Sequence, residues 1–569
     1  MNPTFAIQMF KTVCITVILS VACVLQGYGQ QEYTDYVGSS LLFSGSNLSG
    51  TARYQGIGGA QTALGADMGS LSGNPAGLGM FKKSEFSLTS ALGYAGTNTL
   101  YIDNTTSDGK LNFNIPNIGL VFSGAKSDIS AGKWRGGSFG IGFTRHNSFQ
   151  NKYSTDGVNQ VSSILDAFTY DANRRGATVT TLQNEYEYDA ITDQGITSSS
   201  DDGGATAMYY NAYLINPYHP SNNPNDTIGN QGGLYNTTYF QFEGPQFDDQ
   251  GQVTSPRSYA HQQKTFETSG ARSQWNISYG GNFDDRLYFG ATLGIESLRY
   301  TFVNKFDETY FSDNNPYGKA YRGISLNQEL TTKGTGVNLN VGVIFRVNDV
   351  LRLGASALTP TFYNISESYN SSVDVAPSSI PDLDYNGYPT KSTYSPPTTP
   401  FTVSTAPRTF DYKLITPWRL SAGAAFFLGK HGFISGDVEY VTYDNIKLNG
   451  GDATFKSDYQ KGIKDQYQSV FNYKIGLELR HNIFRFRSGF GYQADPYQDK
   501  KTNNVDRSRL TGSIGAGVRL PKFYVDAAAT YSQYKSANTP YVLPDNSRYA
   551  SSLTTNSLTN VVITFGTFF

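Results

Sequence analysis

The chain has 569 residues, 38% of them hydrophobic, and its 44 basic and 46 acidic side chains leave a formal charge of −2. That balance excludes electrostatic recognition of nucleic acid, and a mean hydropathy of −0.39 excludes a protein built from apolar membrane-crossing helices. Aromatic residues make up 14%, with 41 Tyr and 36 Phe against 3 Trp, an excess expected where strands cross a lipid–water boundary.

The one sustained apolar stretch, residues 12–25, follows Lys11 and precedes the small residues Gly27 and Gly29. It is too short to span a bilayer comfortably and reads as a signal peptide over residues 1–29, with the mature chain starting at Gln30 or Gln31. Both cysteines, Cys14 and Cys23, lie in the removed part, which excludes disulfides and thiolate metal sites from the mature chain. The rival reading lipidates Cys23; it is disfavoured because Ser20 stands where Leu is usual and apolar residues continue past the cysteine.

Residues 30–84 are rich in Gly, Ala and Ser and cannot build a core of their own, yet they are too many for a tail. Glycine recurs as it does where backbone must pass close to backbone. Asn74-Pro75 fixes a kink, because the residue before proline is held extended and an Asn side chain satisfies local backbone groups. This segment is expected to fold as a plug, or hatch, against the inside of a barrel.

From Thr335 to Phe569 the pattern is about ten residues of apolar/polar alternation, a short turn, ten more, then a long polar loop. The run Val337-Asn338-Leu339-Asn340-Val341-Gly342-Val343 and the stricter Phe471-Asn472-Tyr473-Lys474-Ile475-Gly476-Leu477-Glu478 are the clearest cases. Period two gives two faces; the apolar one suits lipid and the polar one a lumen. Fourteen strands are expected, at 85–96, 115–125, 136–148, 272–282, 285–303, 335–347, 350–361, 416–428, 432–445, 468–480, 483–494, 508–519, 522–533 and 558–569. Short turns near Asp284, Asn348, Lys430, His481 and Pro521 alternate with long loops at about 149–271, 304–334, 362–415, 446–467, 495–507 and 534–557. That is the periplasmic-turn, extracellular-loop rule of an all-β transmembrane β-barrel in a bacterial outer membrane. Loop 149–271 lacks a core period, reads as solvated surface, and its Asp201-Asp202 and Asp248-Asp249 pairs lack calcium-loop spacing. Its Tyr209, Tyr210, Tyr213 and Tyr218 are expected to pack within the loop.

The residues Gly50-Thr51-Ala52-Arg53 through Gly56-Ile57-Gly58-Gly59-Ala60, then Asn74-Pro75-Ala76-Gly77-Leu78, resemble the hatch of the long-chain fatty acid outer-membrane transporter family, which includes toluene and xylene importers. The resemblance covers about residues 44–96, extends through the strand count, and is lost in the long loops. It implies a fourteen-stranded barrel plugged by its N-terminal hatch, with Gly56, Gly58, Gly59, Asn74, Pro75 and Ala76 as the hatch motif. It further implies passive uptake of hydrophobic small molecules through an apolar luminal pocket and sideways release into the membrane near the third strand. There, Gly136, Gly137, Gly140 and Gly142 either permit a lateral opening or simply make room for the hatch. Some relatives serve as secretion scaffolds that bind a secreted protein's signal domain, and some carry a haemin-receptor label.

Alternation points Lys474, Glu478, Arg480, Arg485, Arg487, Arg509, Arg519 and Asp526 inward. One arginine among Arg485, Arg487 and Arg509 could hold a ligand carboxylate; otherwise these charges pair with the hatch and across the wall. His146, His219, His261, His431 and His481 are scattered, with His431 and His481 suiting turns, and no Ser/His/Asp order suggests an enzyme. No cofactor or metal is expected. The expected partners are a hydrophobic ligand, outer-membrane lipid and lipopolysaccharide, and the barrel-assembly machinery through the terminal Phe569 of a monomer.

Overall fold

A computed structural model describes residues 36–126, 132–175, 259–311, 321–377, 399–451, 453–498, 505–541 and 550–569, with Leu182, Leu543 and short pieces between 186 and 255. The signal-peptide and lipidation readings, and His219, lie outside the described residues.

Eighteen strands form the wall: β1 Glu85–Tyr101, β2 Asn104–Ser123, β3 Trp134–Ser148, β4 Asn151–Asn159, β5 Tyr259–Phe283, β6 Leu287–Phe311, β7 Tyr321–Arg346, β8 Leu351–Leu358, β9 Phe362–Pro377, β10 Arg408–Ile415, β11 Arg419–Phe427, β12 Gly432–Thr442, β13 Lys447–Gly450, β14 Ser469–His481, β15 Phe484–Gln493, β16 Arg509–Arg519, β17 Phe523–Asn538 and β18 Ser552–Phe568. The pairs β3/β4, β8/β9, β10/β11 and β12/β13 are each one stave interrupted by a bend, so fourteen antiparallel staves result. The last pairs with the first from Glu85/Phe568 to Tyr101/Ser552, closing the barrel. Closure leaves the sheet without a free first or last strand, as a bilayer demands.

Outward positions carry a belt of exposed apolar side chains, among them Leu92, Phe113, Ile141, Trp275, Leu293, Val341, Phe426, Ile475, Phe490, Ile514 and Ile563. The same strands bury Asn117, Thr144, Asn276, Thr292, Asn340, Asp437 and Glu478 inside. This inverted arrangement is that of a transmembrane barrel. No described helix is long and apolar enough to cross a membrane. The short turns fall where expected, with Asp284, Asp285 and Asn482 in left-handed conformations.

The strands outrun the expected boundaries on the long-loop side. β1 and β2 meet in a tight hairpin at Ile102 and Asp103, β6 and β7 continue their pairing to Thr309/Gly323, and β7 pairs β9 out to Tyr321/Pro377. The apolar/polar signal fades there because the outward side chains, such as Lys305 and Lys333, meet water instead of lipid. The described residues of the loops placed at 304–334 and 362–415 are therefore largely strand, and 446–467 contains the helix Ala453–Gln466.

The described residues of segment 149–271 include helices with a buried core. Helices Ile164–Arg175 and Gly204–Asn211 bury Leu165, Phe168 and Met208 against Phe306, Leu326, Val373 and Val403 from the strand extensions. Tyr209 stacks on Phe168 with ring centroids 3.6 Å apart, and Tyr210 is buried beside it. These tyrosines are cap core, as expected of loop packing.

The hatch fills the lumen. It comprises α1 Tyr36–Ser44, α2 Ala52–Gly56, and 3-10 turns at Met68–Leu71 and Pro75–Met80. Its backbone lies directly on the backbone of the wall: a Cβ at Gly290 would come under 3.0 Å from Pro75 O, at Gly354 from Thr62 O, and at Gly489 from Gly58 N. Gly58 and Gly59 adopt left-handed φ of 64° and 78°, which turns the chain there without a side-chain penalty. We predict that Gly354→Ala unseats the hatch without opening the barrel. Hydrogen-exchange protection of residues 58–66 should fall markedly, whereas Gly512→Ala, with nothing within 4 Å of the added carbon, should leave it unchanged.

Candidate functional site: the hatch, its latch and the β2/β3 seam

Asn74, Pro75 and Ala76 are the point where the hatch is pinned. Asn74 caps the 3-10 turn by accepting from Ala76 N at 3.1 Å. Its amide donates to Thr62 O at 2.7 Å within the hatch and to Ala355 O and Val343 O of the wall, at 3.2 and 3.3 Å. One side chain thus joins two hatch segments to β7 and β8. Gly342 opposite it leaves the room, since a Cβ there would overlap Asn74 Oδ1. Asn340 donates to Ser72 O, Thr292 to Leu71 O, and Asp437 accepts from both the backbone N and the hydroxyl of Thr62 at 2.8 Å.

A buried ionic latch holds the other side. Glu478 Oε2 receives Arg487 Nε at 2.8 Å and the hatch residue Arg53 at 3.3 Å, while Glu478 Oε1 receives Arg480 at 2.8 Å. Arg487 also binds Asp526 at 2.7 Å, and Arg53 reaches Asp67 at 3.9 Å. Strand alternation explains the grouping: Glu478 and Arg487 are register partners on β14 and β15, and both face inward. Three guanidinium groups converge on one carboxylate, so removing it leaves buried cations uncompensated. Arg487 and Arg480 therefore serve the hatch and the wall. Arg485 turns away, donating to Asn482 O and Phe484 O of its own turn at 2.8 Å. Arg509 alone of the three candidate arginines faces the cavity above the hatch, bonded to Asn47 and lying 4.3 Å from the Tyr534 ring.

That cavity, of about 160 Å³, is bounded below by Tyr54, Gly59 and Asn74 and around by His146, Arg272, Glu296, Arg419, Glu439, Lys474 and Arg509. It is polar, which corrects the expectation of an apolar pocket beside the hatch. The apolar chamber is adjacent and occupied by the chain's own α1. Tyr36 packs among Phe410, Tyr412, Phe455 and Tyr459 with centroids 5.2–5.6 Å away, and Phe43 sits against Phe149 and Tyr300. The helix is pinned by Arg419 and Arg272, which donate to Ser44 O and Phe43 O at 2.7 and 3.1 Å.

The third stave is where the wall is incomplete. The β2/β3 ladder runs only from Ser123/Ser138 to Asn117/Thr144. It stops at Pro116, which offers no N–H; beyond it β2 pairs with β1 alone. On the other side, His146 is an extra residue against β5, whose pairing steps from Arg145/Ser273 to Asn147/Arg272. Its freed carbonyl accepts from Asn47 N of the hatch at 3.0 Å. Side chains bridge the gap: Asn112 to Ser148 at 3.2 Å, Ser154 to Asp108 at 2.5 Å, and Lys110 to Glu267 at 2.7 Å. Beside the seam, Leu111 and Phe113 are 68% and 72% exposed, more than any other outward apolar residue described.

Of the four glycines singled out on this strand, two lie against the hatch and two do not. A Cβ at Gly140 or Gly142 would lie 2.6 Å from Leu71 of the hatch, so these two make room. Gly136, with φ 110°, turns the chain close to Gly124, and Gly137 lies under Tyr279. The irregularity at the seam comes from Pro116 and the His146 bulge, which the glycine count did not reveal. Of the histidines, His146 bonds Gln274 and His261 bonds Asp156, while His431 and His481 are exposed in short turns. Among the described residues no group of His, Cys, Asp and Glu could hold a metal ion.

No family model matches the chain, and no curated protein matches it. Among solved structures it is similar to the toluene transporter TodX of P. putida, at 11% identity over 92% of this chain and 99% of that one, with a TM-score of 0.47. It is similar also to a Pseudomonas aeruginosa FadL homologue, at 11% identity over 91% and 99%, TM-score 0.48. A third is the Ralstonia pickettii toluene transporter TbuX, at 14% over 92% and 99%, TM-score 0.41. Likenesses this distant do not extend to a substrate. The hydrogen-bond ladder and the seated hatch define the class by themselves: a plugged, fourteen-stave transmembrane β-barrel.

The latch yields a direct expectation. Glu478→Gln should cost about 3–5 kcal/mol of hatch seating, lowering exchange protection across residues 50–67 by roughly two to three orders of magnitude. In planar bilayers the variant should show channel openings that the native protein lacks; unchanged exchange would refute the latch.

Proposed function

We propose that the protein passes hydrophobic small molecules, long-chain fatty acids or aromatic hydrocarbons, across a bacterial outer membrane, releasing them sideways between β2 and β3. The observation that carries this reading is a shared wall. Asn47, Leu48 and Ser49 of the hatch line the luminal cavity on one side and, on the other, a small cavity under the seam bounded by Ala91, Asn112, Asn114, Pro116, Arg145 and Asn147. Three residues held by Asn47 to Asn147 at 2.5 Å and by Asn47 N to His146 O therefore stand between lumen and seam. A small shift of this segment joins the two. An apolar solute gains by entering lipid at about 25 cal/mol per Å² of surface removed from water, so no energy source is needed.

In this reading the polar cavity serves an amphipathic solute's head group. Arg272, Arg419, Lys474 and Arg509 outnumber Glu296 and Glu439 on its wall, and Arg272 and Arg419 already pair with those carboxylates at 3.6 and 3.4 Å. Of the remaining Lys474 and Arg509, Arg509 offers the guanidinium fork that suits a carboxylate. The tail would take the aromatic chamber in place of α1. The C-terminal Phe569 and the belt suit insertion by the barrel-assembly machinery into lipopolysaccharide-bearing membrane.

A second reading, a scaffold that binds a secreted protein, is favoured by one feature: the outer cap has its own buried core around Phe168 and Met208, giving a partner a rigid surface. Extracting bound lipid from protein purified in mild detergent separates the two, since enriched fatty acids or aromatics support transport and a stoichiometric protein supports the scaffold.

Two outcomes are expected. Asn112→Cys with Ser148→Cys, oxidised across the seam, should abolish uptake of radiolabelled oleate and recover it on reduction, while a Ser123→Cys/Ser138→Cys bridge across the intact ladder should not. Arg509→Ala should weaken oleate binding by about 10- to 100-fold, the loss of one charge-assisted hydrogen bond, with Arg485→Ala unchanged.

A further inference from the structure

The wall has a second irregularity, remote from the β2/β3 seam. Three neighbouring staves bend at one level: β8 gives way to β9 at Thr359, Pro360 and Thr361, β10 to β11 at Thr416, Pro417 and Trp418, and β12 to β13 at a 3-10 turn, Tyr443–Asn445. Pro360 and Pro417 lie in adjacent staves and neither can donate to the ladder. Thr361 and Thr416 close the gap above them, with Thr361 N donating to Thr416 Oγ1 at 2.8 Å and Thr416 N to Thr361 O at 3.1 Å.

On the outside this bend forms a groove of about 640 Å³, lined by Leu293, Val337, Leu339, Phe362, Ile415 and Trp418. That is the volume of a small-molecule site. Val337, Phe362 and Trp418 are 49%, 54% and 44% exposed, so the apolar lining is open to the bilayer. Register sets the far end. Val337 pairs with Phe362, Phe362 with Ile415, and Ile415 with Lys447, so one row of four residues runs from aliphatic to cationic across four strands. Above Val337 on β7 the outward residues are Thr335 and Lys333; the row therefore marks the extracellular rim of the apolar belt. Lys447 is exposed and has no acidic partner among the described residues.

We propose that this groove binds one free fatty carboxylate from the outer leaflet, its chain along Val337, Phe362, Ile415 and Trp418 and its head group at Lys447. The apolar trough accounts for the chain, and a cation at the rim, within reach of water, accounts for the anion. A lone ammonium on a flexible stem suits a carboxylate at an interface. A trough of this volume takes a single chain, which favours a fatty acid over a phospholipid bearing two. The site stands whether or not the barrel transports. It has its own relation to the lumen, however: Leu358, Thr361, Thr416 and Pro417 line the luminal cavity from the inside of the same bend, so a single layer of backbone separates bound chain from cavity.

The test uses the tryptophans. Trp134→Phe with Trp275→Phe leaves Trp418 in the groove, and Trp134→Phe with Trp418→Phe leaves Trp275, which at 52% is somewhat more exposed on the lipid face but lies outside the groove. Each is reconstituted into phosphatidylcholine vesicles and titrated with brominated stearic acid or with brominated phosphatidylcholine. The expected result is saturable quenching of Trp418 by the acid at a mole fraction at least tenfold lower than Trp275 requires, weakened about fivefold or more by Lys447→Gln. Equal titration curves for the two tryptophans would overturn the site. Equal quenching of Trp418 by acid and phospholipid would overturn the fatty carboxylate as its occupant, and an unchanged curve for Lys447→Gln would overturn the head-group contact.

Discussion

Backbone seated on backbone is the constraint from which the rest of this molecule follows. Where the backbone of Thr62 meets Gly354, that of Gly58 meets Gly489 and that of Pro75 meets Gly290, the wall has no room for a side chain. The hatch therefore has to be rich in small residues, and the wall has to place glycine at matching inward positions on several strands. A segment so poor in apolar side chains buries little surface of its own, and the polar groups it brings into the lumen must be satisfied individually. Asn74, Asp437, Asn340 and Thr292 do this through hydrogen bonds, and Arg53 does it through Glu478.

This arrangement makes the plug firm at its base and weaker at its top. Around Glu478, charges on both sides of the hatch–wall boundary compensate one another, and loss of any one leaves the others stranded. Toward the long-loop side, contact passes to α1 and to Asn47, which leans on a carbonyl that exists only because His146 bulges out of register. The seam and the upper hatch thus meet at one place: beyond Pro116 β2 pairs with β1 alone, and the bulge on the facing stave frees the carbonyl that holds Asn47. Opening at that point asks for a few side-chain hydrogen bonds to exchange, not for a ladder to break.

Much of this was legible in the sequence, and unevenly so. Alternation located all fourteen staves, the short turns and the inward face of Lys474, Glu478, Arg487 and Asp526, because inside a bilayer each outward position must be apolar. The same rule lapses above the membrane, which is why the strand extensions and the cap core around Phe168 read as loop. Asn74-Pro75-Ala76 announced the plug, since an Asn-Pro kink among glycines has few other uses. The roles of the arginines were open: parity says which way Arg487 and Arg509 point, but only the position of Arg53 decides that one joins a latch and the other faces the cavity. On the third stave the backbone irregularities lie at Pro116 of the preceding strand and at His146, not at the four glycines singled out in the sequence. Gly140 and Gly142 serve Leu71, and the signals that mattered were a proline in the preceding strand and a single extra residue, which period-two reasoning does not detect. The filled aromatic chamber was missed altogether, being assembled from α1 and side chains hundreds of residues apart.

The central claim is that solute leaves the lumen through the wall between β2 and β3 and not along the barrel axis. Photoactivation of a diazirine-bearing fatty acid during uptake, followed by peptide mapping of inward-facing residues that the bilayer cannot reach, tests it most directly. The account predicts label on Leu48, Asn112, Asn114 and Arg145. Label concentrated on Met80 and Arg352, at the short-turn end of the hatch, would contradict it.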